Sequence, residues 1–183
     1  MLAIALSFPL CLVIFGVNDV YDHDTDMKNP RKGRVWADGT ILDKADHEYI
    51  LFASKVSIIG VLLVALPALI QSPQVSNYLT LCLTISWAYS SPPLRLKERP
   101  LIDSVFTGLI YWSIWVCGYI VSNNSTYDGS ETSSPGGWVL FSAIGLQSLG
   151  TILDIKPDAA ANVRTIATVY GGKFTALFTM GCL

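Results

Sequence analysis

The sequence predicts an all-α bundle of membrane-spanning helices. Three observations point there. Of 183 residues, 51% are hydrophobic and 14% charged, with a mean hydropathy of +0.47, whereas a soluble domain carries about 25% charged residues. The apolar residues gather in six long stretches. Ten of the twelve Lys and Arg fall in three of the five connections between those stretches, as the positive-inside bias of membrane proteins requires. Strands are not expected, because a lone sheet leaves its backbone unsatisfied in lipid and no ~10-residue alternation recurs.

The stretches run in order as follows. Residues 1–17 are apolar and uncharged, with no basic leader and no small-residue cleavage site, so they read as a membrane helix and not as a signal peptide. Residues 49–70, 101–121 and 166–183 meet the roughly 20 helical residues that a bilayer core demands. Residues 78–90 and 138–153 are shorter, and span only if the Ser, Thr and Gln at their ends lie inside the bundle. If all six span, connections 18–48, 91–100 and 154–165 share one side and carry the ten cations. Connections 71–77 and 122–137 share the other side and carry none, so the charged side is expected to face the cytoplasm. Two overlapping glycosylation sequons, Asn123-Asn124-Ser125-Thr126, fall on the opposite side, in agreement. Of the charges inside apolar stretches, Lys55 is expected to snorkel, Lys173 to face the bundle interior, and Asp103 to reach the interface from a helix start.

Several chemistries are set aside. Cys11, Cys82, Cys117 and Cys182 sit in apolar stretches without a CxxC or a nearby His, and read as small buried hydrophobes. No Ser–His or Cys–His arrangement offers a nucleophile, and neither His23 nor His47 is expected to be catalytic. No basic cluster is large enough for nucleic acid.

The positive signal is Asn18-Asp19-Val20-Tyr21-Asp22-His23-Asp24-Thr25-Asp26, directly after the first stretch. On a helix Asn18, Asp22 and Asp26 share one face, with Asp19 adjacent. Like charges at that spacing repel, and acids near a helix C-terminus also oppose the macrodipole. A divalent cation removes both conflicts, and Mg2+ takes such hard oxygens together with substrate phosphates. A second acidic pair, Asp154 and Asp158, ends the fifth stretch on the same side. Between the two motifs, Arg95, Lys97 and Arg99 add cations there. Two carboxylate clusters and a basic loop at one end of a bundle suit a metal-bound diphosphate, with Arg95 or Lys97 touching it.

Residues 18–26, 89–97 and 154–165 together resemble, in order and spacing, the three signature regions of the UbiA-type intramembrane prenyltransferases. The resemblance covers nearly the whole chain and implies a single, partial domain over residues 1–183, with about six of a typical nine membrane helices and truncation at both ends. It implies Mg2+-dependent transfer of a prenyl group from a prenyl diphosphate to a lipophilic aromatic or isoprenoid acceptor within the bilayer. By position, Asn18, Asp19, Asp22, Asp26, Asp154 and Asp158 would bind metal, with Asp22, Asp26, Asp154 and Asp158 catalytic. Lys32, Arg34, Tyr89, Arg95, Lys97 and Arg164 would bind the diphosphate. An allylic cation would need a water-poor cavity, with Trp87, Tyr111, Trp112 and Trp115 as candidates to face it. The alternative is an inactive or truncated remnant that at most binds Mg2+-diphosphate. Two departures stand out: Pro157 lies inside the second motif, where a helix interior would not tolerate it, and Asn162 replaces a common Gly at a turn.

Overall fold

The computed structural model describes residues 2–30, 32, 41–129 and 135–183, and every regular element in it is helical. Helix α1 spans Leu2–Asp26. It is interrupted by a turn at Leu6 and Ser7 and by a π turn at Leu12–Gly16. Pro9 lies at the start of the segment after that first turn, where its missing N–H costs nothing. Helix α2 is His47–Gln71, α3 is Pro73–Ser90, α4 is Ile102–Asn123 and α5 is Pro135–Leu153. The chain continues through the short α6 at Ile155–Ala160, α7 at Ile166–Tyr170 and α8 at Gly172–Cys182. The whole is an all-α, multi-pass membrane-helical bundle.

Four helices among the described residues are long and apolar enough to cross a membrane, not six: Leu2–Asp26, Lys44–Gln71, Ile102–Asn123 and Pro135–Leu153. Helix α3 has the length, but Gln74, Asn77 and its Ser and Thr residues lower its hydropathy. The last stretch is broken at Gly171, whose φ of +83° ends α7 before α8 begins. Lys173 therefore lies just past the break and is exposed, not turned into the bundle as the sequence suggests.

Helix α1 packs on α2 and α3, α3 on α4, α4 on α5, and α5 on α8. Lipid offers little hydrophobic drive between helices, so close approach of small residues matters. A Cβ on Gly16 would come within 3.0 Å of Ser54 Oγ on α2, and one on Gly108 within 2.5 Å of Ile144 Cγ1 on α5. Beside Gly16, Ser54 Oγ donates to the Leu12 carbonyl in the π turn at 3.0 Å. Cys82 and Cys117 are buried as expected, whereas Cys11 is exposed on the outer face of α1 and Cys182 is half-buried. At the end of the bundle away from the acidic motifs, Tyr78, Trp112, Trp115 and Tyr119 surround Tyr127, with ring centroids 5.9 to 6.1 Å from it. Trp112 and Trp115 are thereby committed to packing.

Candidate active site

The acidic stripe is an outcome of helical period. Asn18, Asp22 and Asp26 lie on one face of α1 and line a cavity of about 370 Å³. Across it stand Asp154, at the end of α5, and Asp158, on α6. Their neighbour Pro157 falls in the first turn of α6, because α5 stops at Leu153 and Asp154 caps a new helix. Proline is tolerated there, which resolves the conflict seen in the sequence. Asn162, at φ 59°, then turns the chain in the left-handed region open to Asn or Gly, and Thr165 caps α7 by accepting from Thr168 N at 3.3 Å.

The two motifs line one cavity, and a bond from just past the first reaches the second. Asn29 Nδ2 donates to Asp154 Oδ1 at 3.1 Å, joining residues 125 positions apart. Asn18 Nδ2 donates to Asp22 Oδ2 at 2.8 Å and to Ser90 Oγ at 3.0 Å. The Lys97 ammonium forms an ion pair with Asp22, and Lys32 Nζ lies 3.3 Å from Asp26 Oδ2. Both lysines line the cavity, as does Tyr89, whose hydroxyl accepts from Gln147 Nε2 at 3.0 Å. Burial pushes the Lys97 ammonium down to about 8, against the pull of Glu98, Asp19 and Asp158. Burial likewise pushes the Asp158 carboxyl up to about 6, reinforced by Asp154 and opposed by the Thr165 hydroxyl. The rest of the lining mixes the apolar or aromatic Ile14, Phe15, Ile110, Tyr111 and Val163 with the polar Thr25, Asp103, Thr107, Gln147, Thr151 and Thr165. A second cavity, of about 480 Å³ beside Ile58, Leu62 and Trp87, is lined by no charged side chain.

Other sequence candidates lie elsewhere. Asp19 is on α1 but off the cavity lining, and Arg95 turns its guanidinium to Glu98. Arg164 is exposed and off the lining, and Arg34 lies outside the described residues. Of the four aromatic candidates only Tyr111 lines the cavity. Asn29, Gln147 and Asp103 were missed as site residues. Asn29 was visible as the next position of the acidic stripe, three residues past Asp26. Gln147 was visible as a lone amide in an apolar run. Asp103 is corrected in kind: it is 1% exposed and lines the cavity, and does not reach an interface.

Among the described residues no three His, Cys, Asp or Glu side chains gather into a ready metal cluster. The reason is visible in the contacts, since Lys97, Lys32, Asn18 and Asn29 already engage Asp22, Asp26 and Asp154. The donor set nonetheless fits Mg2+ in kind: hard carboxylate and amide oxygens, with lysines beside them for the phosphates.

The sequence model of the UbiA prenyltransferase family matches residues 1–183. The chain belongs to this family. Among its UbiA-like relatives is a lycopene elongase/hydratase of Corynebacterium glutamicum, 34% identical over 170 residues, covering 90% of this chain and 55% of the relative. Another lycopene elongase/hydratase, of Halobacterium salinarum, is 30% identical over 182 residues, covering 94% and 58%. A C(50) beta-cyclic carotenoids biosynthesis protein of Dietzia sp. is 31% identical over 180 residues, covering 95% and 39%. The chain thus spans about half the length of the curated relatives it matches. No solved structure matches it.

Proposed function

We propose that this chain carries out Mg2+-dependent transfer of a prenyl group from a prenyl diphosphate to a lipophilic acceptor held in the membrane, and that the acceptor is a long isoprenoid polyene. The observation that carries the reading is one cavity that gathers both Asp motifs, Lys32 and Lys97 beside the apolar Ile14, Phe15, Ile110 and Val163. The printed names of the relatives, which pair lycopene with elongation and hydration, support a polyene over a phenol as acceptor.

In this reading Asn18, Asp22, Asp26, Asp154 and Asp158 hold the metal, with Asp19 beside them. When bound, Mg2+ supplies Lewis-acid stabilisation of the leaving diphosphate. Lys32, Lys97 and Tyr89 hold the diphosphate oxygens, and Arg34, Arg95 and Arg164 serve as outer cations on the same charged face. The allylic C–O bond breaks and its electron pair leaves with the diphosphate. Ile14, Phe15, Ile110 and Val163 keep water from the allylic cation, and the Tyr111 ring faces it. A π bond of the acceptor then supplies the pair for the new C–C bond. The charged end faces the cytoplasm, by the distribution of Lys and Arg.

The test uses membranes containing the full chain, radiolabelled dimethylallyl, geranyl, farnesyl and geranylgeranyl diphosphates, and lycopene. Mg2+-dependent diphosphate release with a lengthened carotenoid is expected. Release from none of the four donors would overturn the reading and leave a binding remnant.

A further inference from the structure

Asp103 is a buried carboxylate that the metal and diphosphate roles do not use. It sits in the first turn of α4, is 1% exposed, and lines the cavity near Tyr89, Thr107, Tyr111 and Gln147. One of its oxygens is held: Ser104 Oγ donates to Asp103 Oδ1 at 3.3 Å, and Ser148 Oγ on α5 donates to Ser104 Oγ at 2.9 Å. The other oxygen, Oδ2, is buried with no hydrogen-bond partner. A bare carboxylate oxygen away from water is costly, and a native fold that keeps one calls for an explanation. Asp22 and Asp26 face lysines and Asp154 faces an amide. Asp103 stands apart from those cations, on the side of the cavity formed by α4, with the apolar Ile110 and the ring of Tyr111.

Prenyl transfer has a proton to discard, and the acidic motifs are occupied with the leaving group. We propose that Asp103 is a catalytic residue whose Oδ2 accepts the proton released when the prenylated acceptor cation is quenched. This rests on the transfer reaction proposed above. After the new C–C bond forms, the positive charge resides on the neighbouring acceptor carbon. In elimination, the adjacent C–H bond breaks, its pair becomes a C=C bond, and the proton goes to Oδ2. In hydration, a water oxygen forms the C–O bond to the same carbon and one of its protons goes to Oδ2. Either way one carboxylate becomes one carboxylic acid and no further reactant is needed. The Ser148–Ser104 chain holds Oδ1, which leaves Oδ2 as the oxygen without a hydrogen-bond partner.

The experiment compares wild type with Asp103→Asn and Asp103→Glu in membranes, using dimethylallyl diphosphate and lycopene, and counts diphosphate released against carotenoid product formed. Loss of a general base costs roughly 10²-fold or more, so Asp103→Asn is expected to lose product by about that factor. Diphosphate released per product should rise, because the unquenched acceptor cation reverts by breaking the new C–C bond and water captures the allylic cation as dimethylallyl alcohol. Asp103→Glu keeps a carboxylate and is expected to recover most of the product, and it decides the matter if the Asn variant does not fold. Mn2+ binding, read by electron paramagnetic resonance on the purified protein, is expected to be unchanged in either variant. Product and coupling unchanged in Asp103→Asn would overturn the assignment, as would a Glu variant as uncoupled as the Asn variant. Weakened Mn2+ binding would also overturn it, by placing Asp103 among the metal carboxylates. A wild type that releases no diphosphate would instead remove the transfer reaction itself.

Discussion

Lys97→Met should move metal affinity and donor affinity in opposite directions. The Lys97 ammonium sits against Asp22 with its side chain 11% exposed, so it engages a carboxylate that a cation would need. At an effective dielectric of about 20, two unit charges ~4 Å apart interact by about 4 kcal/mol. A divalent ion sharing Asp22 with this ammonium therefore meets up to roughly 8 kcal/mol of repulsion before the lysine moves aside. If a fifth of that survives relaxation, removing the ammonium tightens binding of the metal alone by about tenfold. The donor behaves otherwise. A hydrogen bond to a charged group contributes about 1.5–3 kcal/mol, so KM for the prenyl diphosphate should rise by roughly 10- to 150-fold. Mn2+ titration by electron paramagnetic resonance reads the first quantity and diphosphate release reads the second. Circular dichroism melting checks that the bundle is intact. Metal and donor affinities that fall together, or a donor KM that does not move, would refute the account of Lys97 as a competitor of the metal at Asp22 and a diphosphate ligand.

Other changes have equally definite outcomes. Asn29→Ala removes a bond that joins the two motifs and should cost about 1 kcal/mol of stability, with a larger fall in kcat than the melting shift alone explains. Gly108→Ala drives a Cβ against Ile144 and the Leu140 carbonyl, and should destabilise by about 1–3 kcal/mol, read as a lower Tm in detergent. Asn162→Val puts a β-branched residue at φ 59° and should cost about 1–2 kcal/mol, whereas Asn162→Gly should leave Tm near wild type. Chelation with EDTA should stop diphosphate release while leaving the helical circular dichroism signal, and added Mg2+ should restore it.

What the sequence did and did not disclose follows from how far each feature reaches along the chain. The acidic stripe is local: one helical period places Asn18, Asp22 and Asp26 on a single face, so spacing alone revealed it, whereas Asn29 lies past the helix end and was not seen. The left-handed turn at Asn162 was legible only through the family resemblance, where Asn stands at a position usually Gly. The number of crossing helices was not. The six apolar stretches become four crossing helices among the described residues, because a run of letters does not show where a helix ends or breaks. The break at Gly171 is likewise a backbone torsion, and a run of apolar letters cannot express it.

Residue types and their order by themselves determined that this is a helical membrane protein with two acidic motifs, because composition and period act within a few turns of chain. Tertiary structure alone decided which of those charges meet. It brought Asn29 to Asp154, set Lys97 against Asp22, and buried Asp103 with one oxygen unpartnered. Those contacts depend on how α1, α4 and α5 pack, and packing is set by side chains far apart in the sequence.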